Sequence, residues 1–179
     1  AGDSAESRQL TGRLDLGRLG MSGHSFGAVT TQAVSGQRSA KGDISFTDPR
    51  IKAAVIMSPN APRAGDAKKA FAEVRIPWLL MTGTRDVAPV GDATMESRLA
   101  VFPALPPDGK YELVLDGAEH NAFGDRALPG EHRPRNPNHH RVILGLSTAF
   151  WDAWLCNNVS ARVWLDGSGA LSLLESGDR

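Results

Sequence analysis

Gly23-His24-Ser25-Phe26-Gly27 is the most informative run in the chain, lying between an apolar segment at residues 19–21 and a helix-forming segment at 28–34. A Gly-x-Ser-x-Gly run in this setting is typical of a very tight strand-to-helix turn with the serine at its apex. We expect side chains at both glycine positions to collide with neighbouring backbone. The serine hydroxyl should project beyond the sheet. The N–H of Phe26 is then predicted at a helix N-terminus, where it can stabilise a developing oxyanion.

The size and charge of the chain limit the classes of protein to be considered. Its 179 residues suit one ordinary domain, and 41% of them are hydrophobic. The 20 basic and 20 acidic residues give a formal net charge of zero, so the charge does not favour a nucleic acid or an anionic membrane as partner. No apolar run approaches the length needed to span a membrane.

Four apolar segments are predicted strands, and four other segments have helical patterns. The strands are predicted at residues 19–22, 51–57, 77–83 and 111–116, and the helices at 26–36, 66–74, 92–102 and 139–156. Residues 125–138 are predicted to be a loop, and the tail from residue 157 to be polar with one short apolar turn. Alternating strands and helices predict an α/β fold with a mostly parallel sheet of about four strands, covered on both sides.

Aromatic side chains and the single cysteine have simple structural interpretations. Trp78 opens a predicted buried strand, and Trp151 and Trp154 lie three apart on the last long helix, so all three are expected in the core. Cys156 is the only cysteine, which excludes an internal disulfide. Its apolar surroundings predict a small buried side chain rather than a reactive thiol.

Three residues suited to nucleophilic catalysis each follow a predicted strand. Ser25 follows the first strand, Asp86 the third and His120 the fourth. In a parallel sheet the carboxyl ends of the strands lie at one edge, so these side chains should meet there. A serine hydroxyl needs a neutral imidazole to accept its proton, and the imidazole needs a carboxylate to fix its tautomer. We therefore predict Ser25 as nucleophile, His120 as base and Asp86 as the orienting acid.

Other carboxylates compete with Asp86 for the acid position. Asp92 has the sequence setting of a helix N-cap, and Asp116 lies in or at the end of the fourth strand. Glu119 adjoins His120, and a neighbour in sequence rarely reaches the far nitrogen of the ring. Asp86 is the preferred acid for these reasons.

Other histidines compete with His120. His24 adjoins the nucleophile and is expected to pack or hydrogen-bond locally. His132, His139 and His140 form a trio whose spacing fits no familiar zinc pattern, so we predict a solvated loop and no metal.

A substrate pocket is expected from residues near the strand ends. The candidates are Met57, Ser58, Val87 and Phe123. Truncation of Val87 or Phe123 should then change the preferred length of the acyl chain.

These motifs resemble those of the α/β-hydrolases. Residues 23–28 and 117–123 resemble bacterial dienelactone hydrolases and platelet-activating-factor acetylhydrolase-like proteins. Residues 83–90 are similar to the acid loop of bacterial cutinase-like polyester hydrolases. The resemblance covers roughly residues 17–156. Dienelactone hydrolases use a cysteine nucleophile, whereas Ser25 occupies that position in this chain.

The resemblance also implies that part of the fold lies outside this sequence. Members of the superfamily place about four strands before the nucleophile, which is residue 25 in this chain. We therefore expect residues 1–179 to form one partial domain, the C-terminal portion of an α/β-hydrolase fold. The missing N-terminal half would be its partner and would supply the second oxyanion donor. The chain alone should then have little or no esterase activity. The resemblance permits a periplasmic or secreted protein, and the sequence itself fixes no compartment.

The function implied is a serine carboxylic-ester hydrolase that works through an acyl-enzyme, requires no cofactor and acts on short-chain acyl esters. A polyester or lactone hydrolase with the same three residues is the alternative enzyme. An alternative from another class is a non-catalytic half-domain that acts in interactions.

Overall fold

A parallel β-sheet is the centre of the fold. The computed structural model describes residues 10–39, 41, 43–88, 90–124 and 135–179. Four strands lie side by side in chain order, namely β1 (Leu19–His24), β2 (Ile51–Met57), β3 (Trp78–Arg85) and β4 (Lys110–Glu119). All three neighbouring pairs are parallel. The predicted α/β architecture with a sheet of about four strands is confirmed.

Helices cover both faces of this sheet. They are α1 (Phe26–Val34), α2 (Ala67–Phe71), α3 (Met95–Leu99), α4 (Pro137–Leu155), α5 (Val159–Asp166) and α6 (Ser168–Leu171). Two short 3-10 turns lie at Phe102–Ala104 and His120–Phe123. Asn136 begins α4 by accepting the N–H of Asn138, and Pro137 occupies the first helical position, where its missing N–H costs no hydrogen bond. The four helices predicted from the sequence correspond to α1 to α4 and differ from them only in where they begin and end.

Side chains of the central strands alternate between two hydrophobic cores. One core lies between the sheet and α4 to α6, and its strand members include Ala53, Val55, Leu79 and Met81. The other lies beneath α1 and α2, and its strand members are Ala54, Ile56, Trp78 and Leu80. Because β2 and β3 are covered on both faces, their sequences are almost continuously apolar. Trp78 is fully buried, as predicted, and meets Phe71 edge to face.

The C-terminal segment differs from its prediction as a polar tail. Asn158 caps α5 by accepting the N–H of Ala161, and α5 and α6 reach the core through Leu165 and Ala170. The backbone of Arg179 exchanges two hydrogen bonds with Val114 of β4, at 2.6 and 3.0 Å. The prediction was wrong because an Asn N-cap and two apolar contacts are enough to form short helices on an existing core.

The prediction that Cys156 is buried is also wrong, because this residue is exposed. It is the C-cap of α4, directly after Leu155, which still packs against the core. Trp151 and Trp154, by contrast, are partly buried and pack against the core as predicted.

Strand β1 lies at an edge of the sheet. Within the described residues it pairs with β2 alone, so its other edge has no partner strand there. A Cβ on Gly20 would lie 2.7 Å from the Trp151 ring, so α4 approaches this strand closely. No helix in the described part of the chain is long and apolar enough to cross a membrane.

Candidate active site

A strained turn presents Ser25 at the end of β1. Ser25 separates β1 from α1 and has φ 59° and ψ −115°, a conformation that L-residues rarely adopt. Its N–H donates to the carbonyl of Met57 at 3.2 Å, which fixes the turn to the end of β2. A Cβ on Gly23 would overlap the backbone of Gly27 and lie 2.6 Å from Thr31 Oγ1. The turn therefore requires glycine at position 23.

Gly27 does not meet the same restriction, contrary to the prediction for both glycines. A Cβ at this position would have no neighbour within 4 Å outside the backbone of its own helix. The close approach comes from the Gly27 carbonyl toward Gly23, so only the side chain at position 23 is excluded. Of the two glycines in the Gly-x-Ser-x-Gly pattern, steric contacts exclude a side chain at Gly23 but not at Gly27.

The structure brings Ser25, His120 and Asp86 together at the carboxyl edge of the sheet. Ser25 Oγ lies 2.9 Å from His120 Nε2, and His120 Nδ1 lies 2.7 Å from Asp86 Oδ1. Because an ionised carboxylate only accepts, Nδ1 carries the proton in this contact and Nε2 of the neutral ring can accept from Ser25. Asp86 is fully buried and His120 is nearly so, which limits competition from water.

The ends of β3 and β4 are tied together so that Asp86 and His120 meet. Thr84 Oγ1 accepts the N–H of Gly117 at 2.8 Å and donates to Asp116 Oδ1 at 3.1 Å. A Cβ on Gly83 would overlap Ala118, so the two strands approach closely at this point. The competing Asp116 is therefore engaged in fixing the loop.

The other competing carboxylate, Asp92, is not the helix cap that its sequence setting predicted. It forms an exposed ion pair with Arg63 at 2.7 Å. The cap of α3 is Thr94, which accepts the N–H of Ser97 in a capping box. The prediction was wrong by two residues because both side chains are suitable caps.

Two hydroxyl groups bind the oxygen of Asp86 that does not face His120. Ser58 Oγ donates to Asp86 Oδ2 at 2.7 Å, and Thr82 Oγ1 donates to the same atom at 2.9 Å. Burial on its own raises the pKa of Asp86. The hydrogen bond from His120, the charge of Arg98 and the bond from Ser58 outweigh burial, and the net pKa lies below the usual value. Asp86 is therefore held as a carboxylate.

Arg98 is a buried cation beside this carboxylate, and the sequence analysis did not find it. Only 1% of its side chain is exposed. Its Nε lies 3.1 Å from Asp86 Oδ1 and donates to the Asp86 carbonyl at 2.7 Å. Its Nη1 donates to the carbonyls of Ser58 and Pro59 at 2.7 and 3.2 Å. The sequence feature that could have revealed Arg98 is an arginine on the apolar side of a short helix. That pattern predicts a buried ion pair but does not identify the partner.

The helix behind Ser25 is anchored to the same loop. The buried Gln32 of α1 donates through Nε2 to the carbonyl of Asn60 at 2.9 Å and accepts the Asn60 N–H at 3.0 Å. Asn60 Oδ1 lies 3.4 Å from Arg98 Nη1. The loop after β2 therefore connects α1, the helix that follows Ser25, with the cation beside Asp86.

His24 packs on His120, in agreement with the prediction that it would pack or hydrogen-bond locally. Its Nε2 lies 2.9 Å from the carbonyl of His120, and the two ring centroids are 4.6 Å apart. Burial, followed by the nearby His120, lowers the pKa of His24 below the usual value. His24 is thus a neutral ring that donates to the backbone of His120.

The four predicted pocket residues have different environments. Val87 is 62% exposed, while Met57 and Phe123 are partly buried against the core beneath α4. The Phe123 ring lies 5.9 Å from that of His24, which places it beside the base. The assignment of Ser58 to the pocket is corrected, because Ser58 is fully buried and its hydroxyl binds Asp86.

The backbone N–H of Phe26 lies in the first turn of α1, directly after Ser25. N–H groups in a first helical turn have no acceptor within the helix and carry part of the positive end of its dipole. The Phe26 side chain is 76% exposed. This N–H is therefore in the right chain position to meet an oxygen bound next to Ser25.

The three other histidines of the sequence do not form a site in the described residues. His139 is buried in α4 with Nε2 3.1 Å from the carbonyl of Asp116, so it is not part of a solvated loop. His140 follows it in α4, and His132 lies outside the described residues. The described ranges contain no group of three or more potential metal ligands.

Comparisons with known proteins identify the fold. No family model matches the chain, and no curated protein matches it. A crystal structure titled "Putative Dienelactone Hydrolase", from Klebsiella pneumoniae subsp. pneumoniae, has a TM-score of 0.57 and 16% identity. The match covers 83% of this chain and 57% of that one. At this identity the likeness shows the fold alone.

Two further solved structures are similar over a smaller part of the chain. A cold-adapted esterase from an Arctic intertidal metagenomic library has a TM-score of 0.46 and 21% identity, covering 66% of this chain and 48% of that one. The esterase domain of a Rhodothermus marinus protein has a TM-score of 0.41 and 20% identity, covering 65% and 56%. The chain thus spans about half the length of the structures that it matches. The described residues share the fold of the matched part of the Klebsiella structure, with a parallel sheet of four strands between helices.

Proposed function

We propose that this chain carries the nucleophile, base and acid of a serine carboxylic-ester hydrolase that works through an acyl-enzyme. The observation that supports this most strongly is the continuous contact from Ser25 Oγ through the His120 ring to Asp86, at 2.9 and 2.7 Å. Serine and histidine side chains often meet on protein surfaces. A buried carboxylate on the far ring nitrogen, with the serine on a strained turn, is specific to nucleophilic catalysis.

In the acylation half of the reaction, Ser25 Oγ attacks the ester carbonyl carbon while His120 Nε2 accepts the hydroxyl proton. Asp86 stabilises the imidazolium that forms, through the proton on Nδ1. The carbonyl oxygen becomes an oxyanion and is stabilised by the Phe26 N–H at the positive end of α1. His120 then gives its proton to the departing alcohol, which leaves an ester between Ser25 and the acyl group.

Deacylation repeats these steps with water as the nucleophile. His120 Nε2 removes a proton from the water, which attacks the acyl carbon, and then returns a proton to Ser25 Oγ. The carboxylic acid leaves and the starting state is restored. No cofactor takes part in either half of this mechanism.

We further propose that a segment pairing with the outer edge of β1 supplies the second oxyanion donor. An oxyanion hole in such enzymes uses two backbone N–H groups, and Phe26 provides one. The edge of β1 beside Ser25 presents strand backbone that pairs with no described strand. Acylation by this chain alone should therefore be slower than by the same residues in a completed sheet.

Short-chain acyl esters are the substrates we propose first, with Met57 and Phe123, which are partly buried against the core, as candidate pocket residues. A second candidate is an extended or polymeric ester. Exposed apolar side chains at Phe26 and Val87, which directly follow Ser25 and Asp86 in the chain, favour it. The reacting residues are the same in both cases, and only the contacts with the rest of the substrate differ.

Pre-steady-state hydrolysis of p-nitrophenyl acetate, butyrate and octanoate tests the proposal. An acyl-enzyme predicts a burst of p-nitrophenolate, followed by slower turnover that is fastest for the short esters. Ser25→Ala should remove both phases, whereas Ser22→Ala, an exposed serine of β1, should leave them unchanged.

Three outcomes separate the candidates. Faster release from octanoate or from a polyester film than from acetate would favour the polymeric substrate. A burst without turnover would show acylation in the absence of a complete oxyanion hole. No burst with any ester, at protein concentrations that detect one acylation per chain, would support the non-catalytic interaction module instead.

A further inference from the structure

We propose that Arg98 is a positioning residue for this reaction, a buried cation that fixes Asp86 and opposes protonation of His120. The catalytic consequence of this inference rests on the proposed hydrolase function. The effect of Arg98 on the protonation of His120 is a property of the free protein and can be measured without a substrate.

Arg98 holds Asp86 from two directions. Its Nε contacts both a side-chain oxygen and the backbone carbonyl of Asp86, at 3.1 and 2.7 Å. Its Nη1 binds the carbonyl of Ser58, whose hydroxyl in turn binds the other carboxylate oxygen of Asp86. The guanidinium therefore controls both the loop that carries the acid and the loop that carries one of its donors. Only a planar group with several donors can make all these bonds together.

Arg98 also lies directly beside the base. Its Nη2 is 3.3 Å from His120 Nδ1, on the side of the ring that faces Asp86. Burial lowers the pKa of Arg98 while Asp86 raises it, but an arginine keeps its charge in proteins. Protonation of His120 thus creates a second positive charge next to a buried one, which disfavours the imidazolium.

Asp86 and Arg98 have opposite effects on the protonation of His120. An unopposed buried carboxylate at 2.7 Å would stabilise the imidazolium and leave the ring protonated to higher pH. The positive charge of Arg98 faces the same ring nitrogen and opposes this effect of Asp86. The base can then be neutral before attack and still be stabilised by Asp86 when it takes the proton from Ser25.

Other groups around His120 do not provide this opposing charge. His24 packs on the ring as a neutral imidazole, and its pKa is lowered by burial. Ser58 and Thr82 contribute uncharged hydroxyls to Asp86. Arg135 donates to the carbonyls of Asn121 and Gly124, on the chain that follows His120. Arg98 is the cation that the described contacts place on the imidazole.

Three variants test the inference. Arg98→Gln removes the charge, and Arg98→Lys retains it with fewer donors. Arg50→Gln is a matched control, because Arg50 forms an exposed ion pair with Asp48 far along the chain from the site. The imidazole of His120 is titrated by NMR in each protein, and the pH profile of kcat/KM for p-nitrophenyl acetate is recorded in parallel.

The His120 titration midpoint should rise by about one pH unit or more in Arg98→Gln, because a like charge within a few ångströms is lost. Asp86 and His120 titrate as a coupled pair. The rise in midpoint is therefore expected whether the proton is assigned to the ring or to the carboxylate. The acid limb of kcat/KM should move upward by the same amount. Arg98→Lys should keep the wild-type midpoint but lower kcat at least severalfold with KM unchanged. Arg50→Gln should match the wild type.

Equal midpoints in the wild type and Arg98→Gln would overturn the charge role. If Arg98→Gln does not fold, a raised midpoint or an unchanged kcat in Arg98→Lys would overturn the inference. Failure of the proposed function has a different signature. In that case the NMR midpoints would shift as stated, while no variant and no wild-type sample would hydrolyse the ester.

Discussion

The Ser58 hydroxyl donates to Asp86 Oδ2 at 2.7 Å, although Ser58 lies 28 residues before Asp86 and has a positive φ of 60°. Its N–H donates to the carbonyl of Met81, so the end of β2 is fixed against β3 at the same point. A strained backbone conformation persists only where surrounding contacts determine it. The end of β2 thus holds the Asp86 carboxylate in place, which is a different role from lining a pocket.

Ser58→Ala should destabilise the fold and weaken catalysis together. It leaves a buried carboxylate with one donor fewer, which costs about 1–3 kcal/mol. Because the Ser58 hydrogen bond lowers the pKa of Asp86, its loss should raise that pKa. Urea denaturation measures the first effect, and Thr82→Val should act in the same direction. A free energy of unfolding for Ser58→Ala that matches the exposed Ser22→Ala control would contradict this account.

Alanine at the two glycines of the turn should have opposite effects. Gly23→Ala places a methyl group against the Gly27 backbone and should cost at least about 2 kcal/mol or prevent folding. Gly27→Ala meets no side chain or other element and replaces a helical glycine, so it should stabilise the fold by about 0.5–1 kcal/mol. Thermal denaturation of both variants is the measurement. Equal destabilisation would mean that the elbow is packed differently.

His24 should make stability depend on pH in the acidic range. Its pKa is lowered in the folded protein, so the unfolded chain takes up a proton at higher pH than the folded chain does. The stabilising contribution of the neutral ring is therefore complete above about pH 6.5 and decreases as the pH falls below that value. His24→Gln, which retains a donor for the His120 carbonyl, should show a shallower decrease between about pH 7 and pH 5.

Urea denaturation at several pH values compares His24→Gln with the wild type. The difference in free energy of unfolding between the two should change sign or shrink as the pH is lowered. Parallel curves over this range would show that His24 is protonated equally in the folded and unfolded states.

The sequence predicted that Ser25, Asp86 and His120 each follow a strand, because such a position can be recognised from a few neighbouring residues. A glycine-flanked serine after a strand and a polar residue after a buried strand are visible within a few positions. The bounds of β2 were predicted correctly because its apolar run ends at Ser58-Pro59. Local patterns also explain the correct expectation that His24 packs beside the site.

The contacts that hold the site were not predictable in the same way. Arg98 reaches Ser58 and Asp86 across 40 and 12 residues, and only the folded chain shows which carbonyls it binds. The exposure of Cys156 depends on where α4 ends, which the apolar composition of the segment does not reveal. The helices after residue 157 are short and gain stability from a core formed elsewhere.

Labelling with a fluorophosphonate tests the central claim most directly, because the reagent reacts with an activated serine and requires no knowledge of the natural substrate. The account predicts one adduct per chain, mapped by peptide mass spectrometry to Ser25, lost in Ser25→Ala and His120→Ala and much slower in Asp86→Asn. An adduct that persists in Ser25→Ala, or a folded wild-type chain that never labels, would contradict it.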